Sequence, residues 1–306
     1  MKDRVLFFNG KFLADSQPLL SIYDSSIASG DLIVEVARTY AGKLISLEEH
    51  IERLYRGIAK LELDMPLSRT EIIENTYKLL EINCSAEDRN IDWQIIYYVS
   101  RGLESSFGLF LEEDIAPNVI IISFPLNRRL SKMADNYVNG VKLFIVSQQL
   151  IPANVLPPEI KSRGRLDYKL ARIEAKKLGG MGVLLDSNGL VMEATGAALF
   201  FVMGEKLYTA PLPHVVDSIT RSLVFEVAKD NNIAVEEKCL TVTEAKNCEE
   251  AFVTSSIIGL MHARSIDDHQ FTINTGRVTD RIAKGFEKRL GVNFTKQAIY
   301  CAGLEH

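Results

Sequence analysis

The chain has 306 residues, 47% hydrophobic and 25% charged, with 9 Pro and 19 Gly. That balance belongs to a folded globular protein of about two domains and excludes a disordered, collagen-like or disulfide-stapled one. Its 35 basic and 40 acidic residues leave a formal charge of −5, which argues against nucleic acid or an anionic membrane as the main partner. The four cysteines (Cys84, Cys239, Cys248, Cys301) are scattered without a C-x-x-C pair, so neither a metal site nor a disulfide framework is predicted, and a reduced cytoplasm fits. No apolar run has the length of a membrane span or the flanks of a signal peptide.

In chain order, Asn9-Gly10 between two apolar runs predicts a hairpin over 5–13, because both residues tolerate the left-handed backbone of a tight turn. A strand is predicted over 32–40, turning at Ala41-Gly42. Ser46-Leu47-Glu48-Glu49 then reads as a capping box opening a helix with Leu47, Ile51, Leu54, Ile58 and Leu61 on one face. His50, Arg53 and Gly57 lie along a neighbouring stripe of that helix. Ser68 to Glu71 repeats the capping box, and residues 91–100 and 118–124 are rich in β-branched and aromatic side chains, as strands are.

The domain organisation expected is a smaller α+β domain over 1–125, a linker over 126–136 and a larger domain over 137–303, with 304–306 as a tag remnant. The larger domain opens with a strand over 141–147. Three prolines exclude a helix over 151–158. A helix follows over 166–178, with Leu166, Leu170, Ile173 and Leu178 on one side and a basic, glycine-rich end. Hairpins are predicted about Asp186 to Gly189 and about Gly204-Glu205, helices over about 218–230 and 278–290, and a strand over 251–254.

Three loci in the second half suggest chemistry, each beside an ordinary alternative. Lys161, after the proline-rich loop, is a surface lysine by residue type or a desolvated amine able to form a Schiff base. Glu193 is a solvated strand-end acid or, beside the small residues 194–198, a carboxylate facing a ligand. Ser218 to Arg221 and Thr254 to Ser256 are helix caps and turns, or two cradles for one phosphate. Walker A, G-x-G-x-x-G, G-x-S-x-G and H-E-x-x-H sequences are absent.

Across nearly its whole length the chain resembles the class IV aminotransferases, fold-type IV pyridoxal-phosphate enzymes that include branched-chain and D-amino-acid aminotransferases and aminodeoxychorismate lyase. The likeness rests on Asn9-Gly10, Ser29-Gly30-Asp31, Glu35 to Tyr40, Leu47 to Leu54, Ile160-Lys161-Ser162 with Arg165-Leu166, and Leu184-Leu185-Asp186 with Gly189 to Glu193. It continues at Leu199-Phe200, Ser218 to Arg221 and Phe252 to Ser256.

The resemblance implies a two-domain α/β (α+β) fold like that of D-amino-acid aminotransferase, a homodimer, and an active site between the domains. It makes Lys161 the catalytic residue that holds pyridoxal 5'-phosphate, Glu193 the partner of the pyridine nitrogen, and Arg53, Ile219, Thr220 and Ser256 the phosphate ligands, with Val216 against the ring. No metal is implied. The activity implied is transamination between an amino acid, branched-chain-like by Val36 to Tyr40, and a 2-oxo acid. The alternatives are aminodeoxychorismate lyase, which releases pyruvate with the same lysine, and a non-catalytic protein of the same fold. The chain departs from the family pattern at Ser25-Ser26, Val34, Ala198, Ser218 and Gly259, and carries Leu166 where branched-chain enzymes have a tyrosine.

Overall fold

The computed structural model describes residues 4–84, 91–111, 113, 115–212, 214–273 and 276–304. Glu305 and His306 of the expected tag remnant lie outside the described residues. The chain divides into two compact units, residues 1–126 with 159–164 and residues 127–158 with 165–306.

In the first unit, β1 (Val5–Phe8), β2 (Lys11–Ala14), β3 (Leu32–Tyr40), β4 (Lys43–Leu44), β5 (Trp93–Ser100) and β6 (Asn118–Pro125) form an antiparallel sheet of order β2-β1-β6-β5-β3-β4. The Asn9-Gly10 turn has φ of 46° and 84°, the left-handed pair that lets two twisted strands meet. Helix α1 (Ser25–Ala28) precedes β3, and α2 (Leu47–Lys60) and α3 (Arg69–Asn83) are the longer helices. Ile51, Leu54 and Ile58 of α2 and Ile72 and Leu79 of α3 share one buried core with Ile33, Ala37, Ile95, Val99 and Ile121 of the sheet. The capping box at Ser68 forms, Ser68 N donating to Glu71 Oε2 at 2.8 Å and Glu71 N to Ser68 Oγ at 3.3 Å. The one expected at Ser46 does not, because Ser46 adopts left-handed backbone (φ 56°) and makes no side-chain cap. Glu48 and Glu49 in the first turn still oppose the helix dipole.

The second unit contains α4 (Asn127–Ser131), α5 (Ala134–Asn139), β7 (Val141–Gln149), α6 (Leu166–Leu178), β8 (Met181–Leu185), β9 (Leu190–Ala194), β10 (Ala198–Met203) and β11 (Lys206–Thr209). These are followed by α7 (Ile219–Asp230), β12 (Ala234–Glu237), β13 (Leu240–Thr241), α8 (Val242–Lys246), β14 (Glu250–Ser255), β15 (Gly259–Ile266), β16 (His269–Gln270), α9 (Val278–Leu290) and α10 (Phe294–Ala302). Its mixed sheet has the order β12-β11-β10-β14-β15-β7-β8-β9-β13, with β16 paired to β15. Helix α6 packs on β7 and β8, α7 on β12 and β14, and α9 on β14 and β15.

Three expectations are corrected. The linker expected over 126–136 is largely helical and groups with the second unit, since α4 and α5 pack against α10. Lys161, expected on the larger domain, groups with the first unit because residues around it pair with β3. The predicted apolar side of α6 faces outward: Leu166, Leu170, Ile173 and Leu178 are 44–74% exposed, while Tyr168, Ala171 and Ala175 are buried. Close approach to the sheet selects the small side chains, since a Cβ added at Gly182 would stand 3.2 Å from the Ala171 carbonyl oxygen.

Asp92 holds the turn between β3 and β4 from below. Its buried carboxylate accepts from Arg38 Nη2 at 2.8 Å, Thr39 Oγ1 at 2.9 Å and the amides of Ala41 at 3.3 Å and Gly42 at 3.0 Å. Replacing it by alanine strands a buried guanidinium, so Asp92→Ala is expected to lower the unfolding free energy by about 3–5 kcal/mol in urea titrations.

Candidate active site

The proline-rich segment ends at Pro158, and the next residues run antiparallel to the start of β3. Ile33 and Ser162 form a β-bridge, Val34 N donates to the Lys161 carbonyl at 2.9 Å, and Arg163 N donates to the Leu32 carbonyl at 2.9 Å. Gly57 of α2 keeps this layer close: a Cβ there would stand 3.4 Å from Ile33 Cδ1 and 3.6 Å from the Glu159 carbonyl oxygen. Backbone pairing thus sets the place of Lys161, whose side chain is 22% exposed. Its Nζ lies 3.1 Å from Glu35 Oε1.

Glu35 is fully buried, on the β3 face that also carries Ile33 and Ala37. Helix α2 answers it with the stripe noted in the sequence. Arg53 grips the carboxylate twice, Nε to Oε2 at 2.7 Å and Nη2 to Oε1 at 2.6 Å, and His50 Nδ1 lies 3.0 Å from Oε1. Burial alone would raise the Glu35 pKa, but the charges of Arg53 and Lys161 and the His50 hydrogen bond hold it well below the usual carboxylate range. Burial lowers the His50 pKa, against the opposing pull of Glu35. Sequence reasoning placed Arg53 and Lys161 here but gave Glu35 no role. The available signal was one acid at an inward position of the strand, between Ile33 and Ala37, facing a helix stripe that carries His and Arg.

In the second unit Glu193 stands on β9 opposite Leu184 of β8 and is buried, so the solvated strand-end alternative does not hold. The Tyr168 hydroxyl donates to its Oε1, and Arg165 Nη2 lies 3.8 Å from the same oxygen. The Arg165 guanidinium also sits 3.8 Å from the Tyr168 ring centroid, a cation–π contact that braces the donor.

Helix α7 starts at Ile219 behind Ser218, whose hydroxyl accepts from Arg221 N at 3.4 Å and lies 3.0 Å from the Thr220 hydroxyl. Ile219 and Thr220 therefore sit together on the first turn, where helix amides favour an anion. Val216 precedes that turn in a half-buried loop, and Ser256 follows β14 in the turn to β15. Two departures from the family pattern acquire physical reasons. Ser218 supplies a side-chain cap, and Gly259 has φ 66° with the Phe294 ring 2.3 Å from where a Cβ would stand. Nothing in the structure explains Ser26 or Ala198.

The expected residues thus gather in groups. Lys161 and Arg53 meet on Glu35, Glu193 meets Tyr168 and Arg165, Ile219 and Thr220 share a helix start, and Val216 and Ser256 stand on separate loops. An amine beside a guanidinium, a buried carboxylate and a helix N-terminus flanked by hydroxyls match the aldehyde, phosphate and ring nitrogen of pyridoxal phosphate in chemistry.

Comparison with known proteins gives a concordant result. The profile of the amino-transferase class IV family matches residues 32–266. A Methanocaldococcus jannaschii protein, provisionally named a branched-chain-amino-acid aminotransferase, is 31% identical over 92% of this chain and 95% of its own. A Staphylococcus aureus D-alanine aminotransferase is 28% identical over 92% and 96%. In fold, the branched-chain aminotransferase of Thermoproteus uzoniensis superposes with a TM-score of 0.83 at 22% identity, over 99% of this chain and 96% of that one. The Escherichia coli branched-chain enzyme does so with 0.84 at 24% identity, over 97% and 96%. The family match and a relative above 30% identity both span most of the sequence, so the chain belongs to the class IV aminotransferases, fold-type IV enzymes that use pyridoxal phosphate.

Proposed function

We propose that the chain transfers the amino group of a branched-chain-like amino acid to a 2-oxo acid, with Lys161 as the residue that binds the cofactor covalently. The observation that carries this reading is the Lys161 Nζ, 3.1 Å from a buried carboxylate that also grips Arg53. The branched-chain preference is supported by the Val36 to Tyr40 motif and by the provisional name of the 31% identical relative. A homodimer in the cytoplasm completes the proposal, supported by the family resemblance and the scattered cysteines. No helix among the described residues is long and apolar enough to cross a membrane.

Bound pyridoxal phosphate supplies an aldehyde reactive toward amines and a ring that draws electron density from the substrate α-carbon. The protein's part is placement and charge. Arg53, the first turn of α7 at Ile219 and Thr220, and Ser256 are the residues that would hold the phosphate, through a guanidinium, amides and hydroxyls. Glu193 would accept a hydrogen bond from the protonated ring nitrogen and favour that protonation by its charge, with Tyr168 donating to the carboxylate. Val216 would pack against the ring. The Lys161 amine, when not bonded to the cofactor, would serve as the general base toward the substrate α-proton.

Lys161→Ala is expected to abolish the adduct that borohydride fixes on the protein and to lower turnover about a thousandfold; a fixed adduct in the variant would refute the assignment. A panel of L- and D-amino acids should give the largest cofactor spectral change with branched-chain substrates. Pyruvate release from aminodeoxychorismate without amino transfer would replace this reading by the lyase.

The buried ion cluster also predicts a pH dependence. A histidine with a depressed folded pKa costs stability as pH falls below its unfolded value of about 6.5, and a carboxylate with a depressed pKa loses its contribution as pH falls below its unfolded value of about 4.5. The urea midpoint should therefore decline from about pH 7 to about pH 4, beginning in the histidine range. A flat profile would contradict the burial of this cluster in solution.

A further inference from the structure

Glu35 is placed to do more than fill the core. An ionised carboxylate withdrawn from water is retained where nearby donors offset its desolvation. Its contacts come from three parts of the first unit: Val36 N on its own strand at 2.7 Å, His50 and Arg53 from α2, and Lys161 from residues 159–164. Tyr97, opposite Glu35 on β5, directs its hydroxyl to Thr76 at a distance of 3.0 Å. The titratable groups facing the carboxylate are thus His50, Arg53, Lys161 and Tyr97.

Two geometric features give the cluster a direction. Arg53 meets Glu35 through Nε and Nη2, a side-on fork that commits two of its five N–H donors and fixes the plane of the guanidinium. Lys161 ends a flexible four-carbon stem, and an anchor at one carboxylate oxygen removes much of its rotamer freedom. The same anchor is an anion next to the nitrogen, and an anion there favours the protonated form.

We propose that Glu35 is the positioning residue of this site, a shared counter-ion that orients the Arg53 guanidinium and holds a proton on the Lys161 nitrogen. This rests on the reading of Lys161 as the cofactor lysine. A protonated amine is no nucleophile, so Glu35 sets the pH at which the free lysine reacts. Once that nitrogen is linked to the cofactor, the carboxylate sets how firmly it keeps its proton. The role is exerted through Arg53 and Lys161; no bond to substrate is assigned to Glu35.

The deciding measurement is a pH titration of the lysine-linked visible absorbance of the holoenzyme, native against Glu35→Gln, with folding checked by circular dichroism. Loss of the carboxylate should move the titration midpoint down by about one pH unit or more, a tenfold weaker hold on the proton. Glu35→Asp keeps the charge and withdraws it by one methylene, so its midpoint should fall between the two. If glutamine at this position prevents folding, the aspartate variant decides alone. An unmoved or raised midpoint in a folded variant overturns the proposal, because a purely structural role for Glu35 would leave the nitrogen's titration unchanged. Reductive methylation of Lys161 in the cofactor-free protein, followed by mass spectrometry across pH, reads the same effect without the chromophore. A native protein that forms no lysine-linked chromophore would refute the cofactor reading, while the methylation profile still tests Glu35.

Discussion

The placement of three segments of the first unit depends on the buried carboxylate of Glu35. Water solvates a carboxylate far better than a hydrophobic core does, and a side chain as fully enclosed as Glu35 stays ionised where cations and hydrogen-bond donors surround it. Those groups come from a helix and from a segment distant in sequence. Strand β3, helix α2 and residues 159–164 are thereby held to one relative placement, and the hydrophobic contacts of Ile33, Ile51 and Leu54 surround the same point. Charge neutralisation and core packing specify the same arrangement, as expected of a sequence that folds to one state.

Three buried carboxylates make an instructive comparison. Asp92 is answered by an enclosed arginine, a threonine and two turn amides, all local to the β3 to β4 corner; nothing in that set can react, and its work is architectural. Glu193 is answered by a tyrosine hydroxyl and an arginine stacked on that tyrosine, an arrangement that directs the acid along one line. Glu35 holds a partly exposed primary amine. The difference between scaffold and chemistry lies in the partners rather than in the acid.

Much of the fold was legible because it rests on local rules. Asn9-Gly10, the Ser68 capping box and the β-branched, aromatic run of β6 each carry their own physical cause in adjacent residues. Ser46 shows the limit: the motif letters are present, but its left-handed backbone leaves the side chain without a cap bond. The α6 stripe failed for a different reason. Periodicity reveals that a helix has two faces, whereas which face turns inward depends on the space left by the sheet, and here that space admits alanine rather than leucine. At the site, Lys161, Arg53 and Glu193 were accessible through family resemblance. The charge relation between Glu35 and Lys161 joins positions 126 residues apart, a pairing that no local pattern encodes.

The path of the chain between the units has a consequence for how the protein can be made. Residues 159–164 belong to the first unit although the chain on either side belongs to the second, so the backbone passes from one to the other three times rather than once. Cutting at the 126/127 boundary would not yield two complete modules, since the fragment 1–126 would lack the strand-like edge beside β3 and the ammonium that meets Glu35. During synthesis the first unit likewise waits for residue 164 to leave the ribosome before the edge beside β3 and the Lys161 contact to Glu35 can form, which couples completion of the smaller unit to the emergence of part of the larger one.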